Sequence, residues 1–323
     1  MRTTVVRKSA FMCLLAVIVL LAPDWAAAQT KFGRIVVFGT SLSDPGNAYI
    51  LRGEANTPPY DGLDPLLIGE APYAKGGHHF SNGATWVEQF ARQFGRAGNT
   101  RPAFQGSSTE ATNYAVGAAR AHEDGINVNL STQVNAFMNA FDGSAPPDAL
   151  YVVEFGSNDV RDAIAALPDF GRAEAIITEA LTAIGNNIWA LYAQGARKFI
   201  VANVPNLRLT PAIRTLDRLS PGAGPAAEFL TITFNANLET LLGSLALLPG
   251  MEIKRLDLYQ RLNELVADPA AFDLTVVDRA CIMPNIPPFA CQTPDEFLFW
   301  DGIHPTKTVH AVVAQDAAFA LTQ

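Results

Sequence analysis

Three strand-like runs of mainly apolar residues constrain the fold of this chain more than any other feature. They lie at 35–38, 150–155 and 199–204 and are rich in Val, Ile, Leu and Phe. Runs of this length and composition are typical of strands that are buried on both faces. A shorter run at 113–116 and a weaker one at 251–256 predict two further strands.

Helix-like stretches separate these strands. They are expected at 85–94, 172–194 and 226–247, with a last helix that begins at Pro305, because proline is favoured at the first position of a helix. Buried strands that alternate with helices predict an α/β protein with a parallel sheet covered by helices on both faces. The stretches 45–84 and 205–225 are rich in Gly, Pro and polar residues and are expected to be long loops over one edge of the sheet.

Residues 1–28 are expected to be a secretory signal peptide. A basic start is followed by an apolar run at 10–22 and by three alanines at 26–28, which match a cleavage site. Residues 29–323 would then form a single domain, secreted or periplasmic, without a stable membrane anchor. The alternative is an N-terminal anchor that is retained.

The charge of the chain disfavours nucleic acid as a partner. The net charge is −8, and removal of residues 1–28 would change it to −10 because Lys+Arg falls from 23 to 20 and Asp+Glu from 31 to 30. No cofactor or metal is expected. The adjacent pair His78 and His79 is interpreted as loop residues, since neighbouring side chains diverge and no cysteine is near.

Chemically active residues follow the predicted strands at their carboxyl ends, which meet at one edge of a parallel sheet. Ser41 follows the first run, Gly117 the short run, and Asn158 the run at 150–155. Near the end of the chain, Asp301 and His304 are three residues apart in a turn that contains glycine. Serine, histidine and aspartate are the components of acyl-transfer catalysis.

These residues suggest distinct roles. Ser41 would be the nucleophile, His304 the general base and Asp301 the group that orients the imidazole. The oxyanion would be stabilised by the Asn158 side chain and by the backbone N–H groups of Ser41 and Gly117. Taken singly, each residue is more typical of an ordinary turn or helix cap, and only their common placement favours one site.

The same segments resemble a GDSL esterase/lipase of the SGNH hydrolase superfamily. The blocks that carry the resemblance are FGTSLSDPGN (38–47), NYAVGAA (113–119), GSNDV (156–160) and FWDGIHPT (299–306). The resemblance implies a three-layer, flavodoxin-like fold. It also implies Ser41, Asp301 and His304 as catalytic residues, Gly117 and Asn158 as oxyanion donors, and no cofactor.

One position departs from the family pattern. The family usually carries Asp before the nucleophile, whereas this chain has Thr40. Thr40 is expected to tune the nucleophile turn rather than to perform chemistry, and Thr40→Asp is expected to be tolerated. A disulfide between Cys281 and Cys291 is expected in an oxidising compartment, with two free thiols as the alternative.

The sequence thus predicts a secreted serine ester hydrolase that acts through an acyl-enzyme. Lipids, phospholipids, short acyl esters and acetylated polysaccharide all stay open as substrates. Two alternatives also stay open, a carbohydrate O-acetylesterase and a non-catalytic secreted binding module on the same fold.

Overall fold

A computed structural model describes residues 32–106 and 109–323, so the predicted signal peptide lies outside the described residues. Its main sheet contains four parallel strands in the order β1-β2-β3-β4. They are β1 (Arg34–Gly39), β2 (Ala149–Glu154), β3 (Lys198–Ala202) and β4 (Glu252–Leu256). The predicted parallel sheet is confirmed, because all three strand pairs are parallel. Each strand also overlaps one of the runs predicted from the sequence.

The predicted strand at 113–116 forms only an isolated bridge beside β1. Its backbone still pairs with β1, since the Val37 N–H donates to the Thr112 carbonyl and the Tyr114 N–H to that of Val37. The Asn47 side chain binds the outer edge of the segment, where its amide donates to the carbonyls of Asn113 and Ala115. With this segment as the outer member, the order along the sheet is flavodoxin-like.

Nine α-helices lie in the described part of the chain. They are α1 (Asn47–Arg52), α2 (Trp86–Gln93), α3 (Leu130–Ala140), α4 (Ser157–Ala166), α5 (Phe170–Ala193), α6 (Pro211–Leu219), α7 (Ala223–Leu245), α8 (Leu258–Ala267) and α9 (Lys307–Ala320). Within the described residues, none is long and apolar enough to cross a membrane.

Alternate residues of each strand face opposite layers of helices. In β1, Val36 and Phe38 pack in the core shared with α3, α5 and α7, while Ile35 and Val37 pack in the core shared with α2 and α9. Both faces of the sheet are therefore buried at β1, β2 and β3, which explains why these strands are mainly apolar rather than alternating. This is the predicted three-layer α/β/α arrangement.

Two predictions about helices are wrong. The last helix begins at Lys307, not at Pro305, because Pro305 still pairs with Phe299 and the Asn82 side chain accepts the Lys307 N–H. The stretch 205–225 is also not a continuous loop. It contains α6, where Thr210 caps the helix and Pro211 occupies its first turn.

A small second sheet supports the chain before α9. It pairs β5 (Val276–Ala280) with β6 (Phe297–Phe299). Cys281 and Cys291 form a disulfide beside it, and the backbone N–H of Cys281 donates to the carbonyls of Phe299 and Trp300. The disulfide loop is therefore tied to the residues that directly precede Asp301.

Candidate active site

Ser41 lies in a tight turn that leaves the carboxyl end of β1. The Ser43 N–H donates to the Thr40 carbonyl and closes this turn. The Ser41 hydroxyl lies 2.9 Å from Nε2 of His304. Ser41 is largely buried at the floor of a cleft, with its hydroxyl aimed at the imidazole.

The imidazole of His304 is held from its other side by Asp301. Nδ1 of His304 lies 2.7 Å from Oδ2 of Asp301. A carboxylate only accepts hydrogen bonds, so Nδ1 carries the proton and the unprotonated Nε2 can accept the Ser41 hydroxyl. Oδ1 of Asp301 accepts the backbone N–H groups of Ile303 and His304, which fixes the turn. The structure thus brings together the three residues that the sequence singled out.

Tyr73 is a further part of this network that sequence reasoning missed. Its hydroxyl donates to Oδ2 of Asp301 at 2.7 Å. Burial, followed by the negative charge of Asp301, raises the pKa of Tyr73 well above its usual value, which keeps the hydroxyl a donor. Tyr73 and Asp301 are 228 residues apart in the chain, and no local pattern connects them.

The backbone N–H of Gly117 is not available to a substrate, which disagrees with its assignment as an oxyanion donor. It donates to Oδ2 of Asp44 at 2.8 Å. Glycine is needed here for a different reason, since a Cβ at this position would lie 2.1 Å from the Phe80 ring. Phe80 in turn packs against the His304 imidazole, with 5.3 Å between the ring centroids.

The next residue presents the free N–H instead. Ala118 adopts a left-handed conformation with φ of 67° and lines the cavity beside Ser41, Asn158 and His304. Within residues 32–106 and 109–323, neither the Ala118 N–H nor the Ser41 N–H has a hydrogen-bond acceptor. Both backbone donors are therefore available at this cavity.

Asn158 lies in the first turn of α4 with its amide held in one orientation. The amide nitrogen donates one hydrogen to the Ala119 carbonyl at 2.8 Å, and the amide oxygen accepts from Arg161 at 3.2 Å. One N–H of the amide stays available. The preceding Gly156 has a φ of 115°, and a Cβ there would lie 2.5 Å from the ring of Phe234, so the turn into α4 requires glycine.

Asp44 connects the nucleophile turn to the segment of Ala118. Its carboxylate accepts four backbone N–H groups, from Gly46, Asn47, Ala48 and Gly117. Burial raises the pKa of Asp44 to about 6, against the lowering effect of these hydrogen bonds. The carboxylate thus fixes the start of α1 and the backbone next to the free donor at once.

Glu154 is a second buried carboxylate, and it contacts the turn that contains Ser41. It ends β2 and accepts the backbone N–H of Thr40 at 3.0 Å, the Thr40 hydroxyl and the Ser43 hydroxyl. It forms no ion pair with a described residue, and burial raises its pKa to about 7. At position 40, where the family pattern has Asp, this chain has Thr. Glu154 of the neighbouring strand β2 provides a carboxylate to the turn instead.

Two cavities border Ser41 and share Asn158, Arg161 and His304. The first, of about 90 Å³, is lined mainly by apolar side chains from α8, β6 and α9, among them Leu258, Leu262, Leu265, Leu298, Val309 and Val313. The second, of about 410 Å³, is more polar and is lined by Arg52, Glu70, Ala118, Arg120, Asn127 and others. The nucleophile thus lies between an apolar and a polar compartment.

Signals for two of the missed residues were present in the sequence. Asp44 belongs to the same block as Ser41, and Glu154 lies in the strand that precedes Asn158.

The histidine pair in the loop has other partners, since His78 stacks on Tyr49 and His79 contacts Glu88. In the described residues, no group of three His, Cys, Asp or Glu side chains is arranged to hold a metal.

The chain is similar to known proteins over most of its length. A family model described as GDSL-like lipase/acylhydrolase matches residues 35–317. A GDSL esterase/lipase of Arabidopsis thaliana is 30% identical over 313 residues, which cover 88% of this chain and 86% of the relative. A phosphatidylcholine-sterol acyltransferase of Aeromonas hydrophila is 27% identical over 355 residues, which cover 96% of each chain.

Proposed function

Since this chain belongs to the GDSL-like lipase/acylhydrolase family, whose members act on esters, we propose that it is a serine hydrolase of carboxylic esters that works through an acyl-enzyme. Ser41 is the nucleophile, His304 the general base and Asp301 the residue that holds the imidazole. The observation that carries the proposal is the continuous chain from the Ser41 hydroxyl through His304 to Asp301, at 2.9 and 2.7 Å.

The steps of the proposed reaction follow from the protonated Nδ1 and the unprotonated Nε2 of His304. Nε2 of His304 takes the proton of the Ser41 hydroxyl as the oxygen attacks the ester carbonyl. The imidazolium, held by Asp301, then gives this proton to the departing alcohol, and the acyl group stays on Ser41. A water molecule loses a proton to Nε2 and attacks the acyl-enzyme, which releases the carboxylic acid and returns the proton to Ser41.

Three donors stabilise the oxyanion in this proposal. They are the backbone N–H groups of Ser41 and Ala118 and the free N–H of the Asn158 amide. Their support is that all three border the same cavity as the Ser41 hydroxyl and that no described residue accepts from the two backbone groups. Donors that are fixed before the reaction stabilise developing charge without a further cost of reorganisation.

The apolar cavity favours esters with an acyl chain over bare acetyl esters. Its leucine and valine side chains offer contacts to methylene groups and few hydrogen-bond partners for a sugar. A lipid, a phospholipid or a small acyl ester fits this lining. We place the mature protein outside the cytoplasm, as the signal sequence and the Cys281–Cys291 disulfide favour.

Labelling with a fluorophosphonate tests the proposal. The wild-type protein should be labelled at Ser41, and Ser41→Ala should lose both the label and turnover of 4-nitrophenyl esters, by about 10⁶-fold. Ser244→Ala removes an exposed hydroxyl on α7 and serves as the matched control. A folded wild-type protein that neither reacts with the probe nor cleaves any ester would instead favour the binding-module alternative.

A further inference from the structure

The Arg161 side chain lies where the two cavities meet and has no anionic partner in the described residues. It is one helical turn after Asn158 on α4, and its Nη1 donates a single hydrogen bond to the Asn158 amide oxygen. A guanidinium group has five N–H donors, so most of them are unused here. The group lines both the apolar and the polar cavity at Ser41.

Other partly buried arginines around these cavities are neutralised. Arg120 donates to both carboxylate oxygens of Asp162 at 2.8 and 3.0 Å, and Arg261 to both of Asp316 at 2.6 Å. Burial, followed by the nearby charge of Arg120, lowers the pKa of Arg161, and the more distant charges of Asp162, Asp64 and Asp301 offset this only in part. A buried cation without a partner costs free energy, which a bound anion recovers.

The polar cavity is lined by more arginines than carboxylates, although the chain as a whole is acidic, at −8. Three arginines line it, of which Arg120 is paired with Asp162, and Glu70 on its exposed rim is its only lining carboxylate among the described residues. The Arg52 guanidinium donates to the Asn127 side chain and the Glu70 main chain, which are neutral acceptors. The local charge is therefore suited to a negatively charged ligand.

We propose that Arg161 binds an anionic group of the substrate and that the preferred substrate is an ester whose alcohol portion carries a carboxylate or phosphate. This inference rests on the proposed ester hydrolase. The apolar cavity is occupied by the acyl chain, which leaves the polar cavity to the alcohol portion. There the planar guanidinium can bind two oxygens of the anion at once.

Matched synthetic esters test the preference. The probes are 4-(hexanoyloxy)benzoate, 4-(hexanoyloxy)phenyl phosphate and the neutral 4-(hexanoyloxy)benzamide, and each rate is divided by that of alkaline hydrolysis. We expect kcat/KM for at least one anionic probe to exceed that for the amide by about tenfold to hundredfold. The carboxylate and phosphate arms show which of the two anions the site takes. Equal values for all three probes would overturn the proposal.

The role of Arg161 is tested by the ratio of kcat/KM for an anionic probe to kcat/KM for the neutral probe. A loss of rate that is common to all probes leaves this ratio unchanged. Arg161→Gln should bring the ratio to about one, and Arg161→Lys should keep part of it because the charge remains. Arg172→Gln removes the same charge from an exposed position on α5 and should keep the wild-type ratio. An unchanged ratio in Arg161→Gln, with all rates lowered alike, would mean that Arg161 only orients Asn158.

A binding experiment separates this inference from the proposed reaction. Ser41→Ala cannot form an acyl-enzyme, and calorimetry measures its affinity for 4-hydroxybenzoate, 4-hydroxyphenyl phosphate and 4-hydroxybenzamide. Preference for an anion that disappears in Ser41→Ala/Arg161→Gln supports the anion site even if no ester is cleaved. Hydrolysis of neutral esters without any preference for anions in either assay leaves the proposed function standing and removes the anion site. Circular dichroism confirms that each variant is folded.

Discussion

The hydroxyl of Thr40, the residue before the proposed nucleophile, lies 3.1 Å from both carboxylate oxygens of Glu154. The two residues lie at the ends of neighbouring strands, where Gly39 pairs with Glu154. Ser43 adds a third donor to the same carboxylate and accepts from the indole N–H of Trp86. A carboxylate on β2 therefore braces the nucleophile turn from the neighbouring strand.

This relationship changes the expectation for Thr40→Asp. From the sequence the substitution should be tolerated, but in the structure it places a second carboxylate against Glu154. One of two adjacent carboxylates must then be protonated or move. We expect Thr40→Asp to lose stability by about 1–3 kcal/mol and to lower kcat. Thr40→Asp/Glu154→Gln should recover both, as measured by urea unfolding and ester hydrolysis. If the double variant were no more stable or active than Thr40→Asp, the loss would not come from two adjacent carboxylates.

Thr40→Val serves as the matched control, because it removes the hydroxyl without adding charge. Glu154 keeps the Thr40 N–H and the Ser43 hydroxyl as donors. We expect substantial turnover and a modest loss of stability, about 1 kcal/mol. If folded Thr40→Val were as inactive as Ser41→Ala, Thr40 would belong to the catalytic set.

The buried Glu154 should make stability depend on pH. Its pKa is raised from 4.5 to about 7, so the folded protein binds this proton more tightly than the unfolded chain. The stability from this group is present below about pH 4.5 and is lost as the pH rises through 7, with an upper limit on the order of 3 kcal/mol. We expect Glu154→Gln to gain stability relative to wild type between pH 5 and pH 8 in urea unfolding. A constant difference between the two proteins would contradict the raised pKa.

The hydroxyl of Tyr73 should contribute to catalysis through Asp301. Tyr73→Phe removes one of the hydrogen bonds to this carboxylate but leaves those from His304 and Ile303. We expect kcat to fall about tenfold, far less than the about 10⁴-fold expected for Asp301→Asn. Tyr60→Phe removes a hydroxyl from the ring that packs edge-on against Tyr73 and serves as the control. Equal effects of the two tyrosine variants would point to packing rather than to the hydrogen bond.

Gly117 and Ala118 should respond in opposite ways to substitution. Gly117→Ala drives a Cβ into the Phe80 ring and through it displaces His304, so we expect a loss of about 1–3 kcal/mol and an about 10²-fold lower kcat. Ala118→Gly relieves a left-handed conformation and keeps the N–H, so stability should rise by about 1 kcal/mol. Thermal unfolding and ester hydrolysis check both. A harmless Gly117→Ala would show that Phe80 can move away without affecting His304.

Removal of the disulfide should weaken the segment before Asp301. The double variant Cys281→Ser/Cys291→Ser is expected to lose about 2–3 kcal/mol, as the chain-entropy model gives for a short loop. Intact mass before and after reduction should differ by two hydrogen atoms in the wild type. Two free thiols in the native protein would contradict the pairing.

The sequence by itself determined the layers of this fold and the identity of its central reactive groups. Strands buried on both faces are mainly apolar along their length, so the runs at 35–38, 150–155 and 199–204 could be identified without tertiary information. Ser41 and His304 could be identified from the sequence because each lies in a short segment that forms a turn, after a strand for Ser41 and before a helix for His304. These are properties of neighbouring residues in the chain.

Tertiary structure alone decided which groups complete the site. Asp44 takes the Gly117 N–H and leaves that of Ala118 free, and this choice depends on how a loop packs against the sheet edge. The contact of Tyr73 with Asp301 spans 228 residues, and that of Thr40 with Glu154 spans 114. Periodicity in the sequence reports burial of a side chain but not its partner. The partner is fixed only when strand register and loop closure bring distant segments within hydrogen-bond distance.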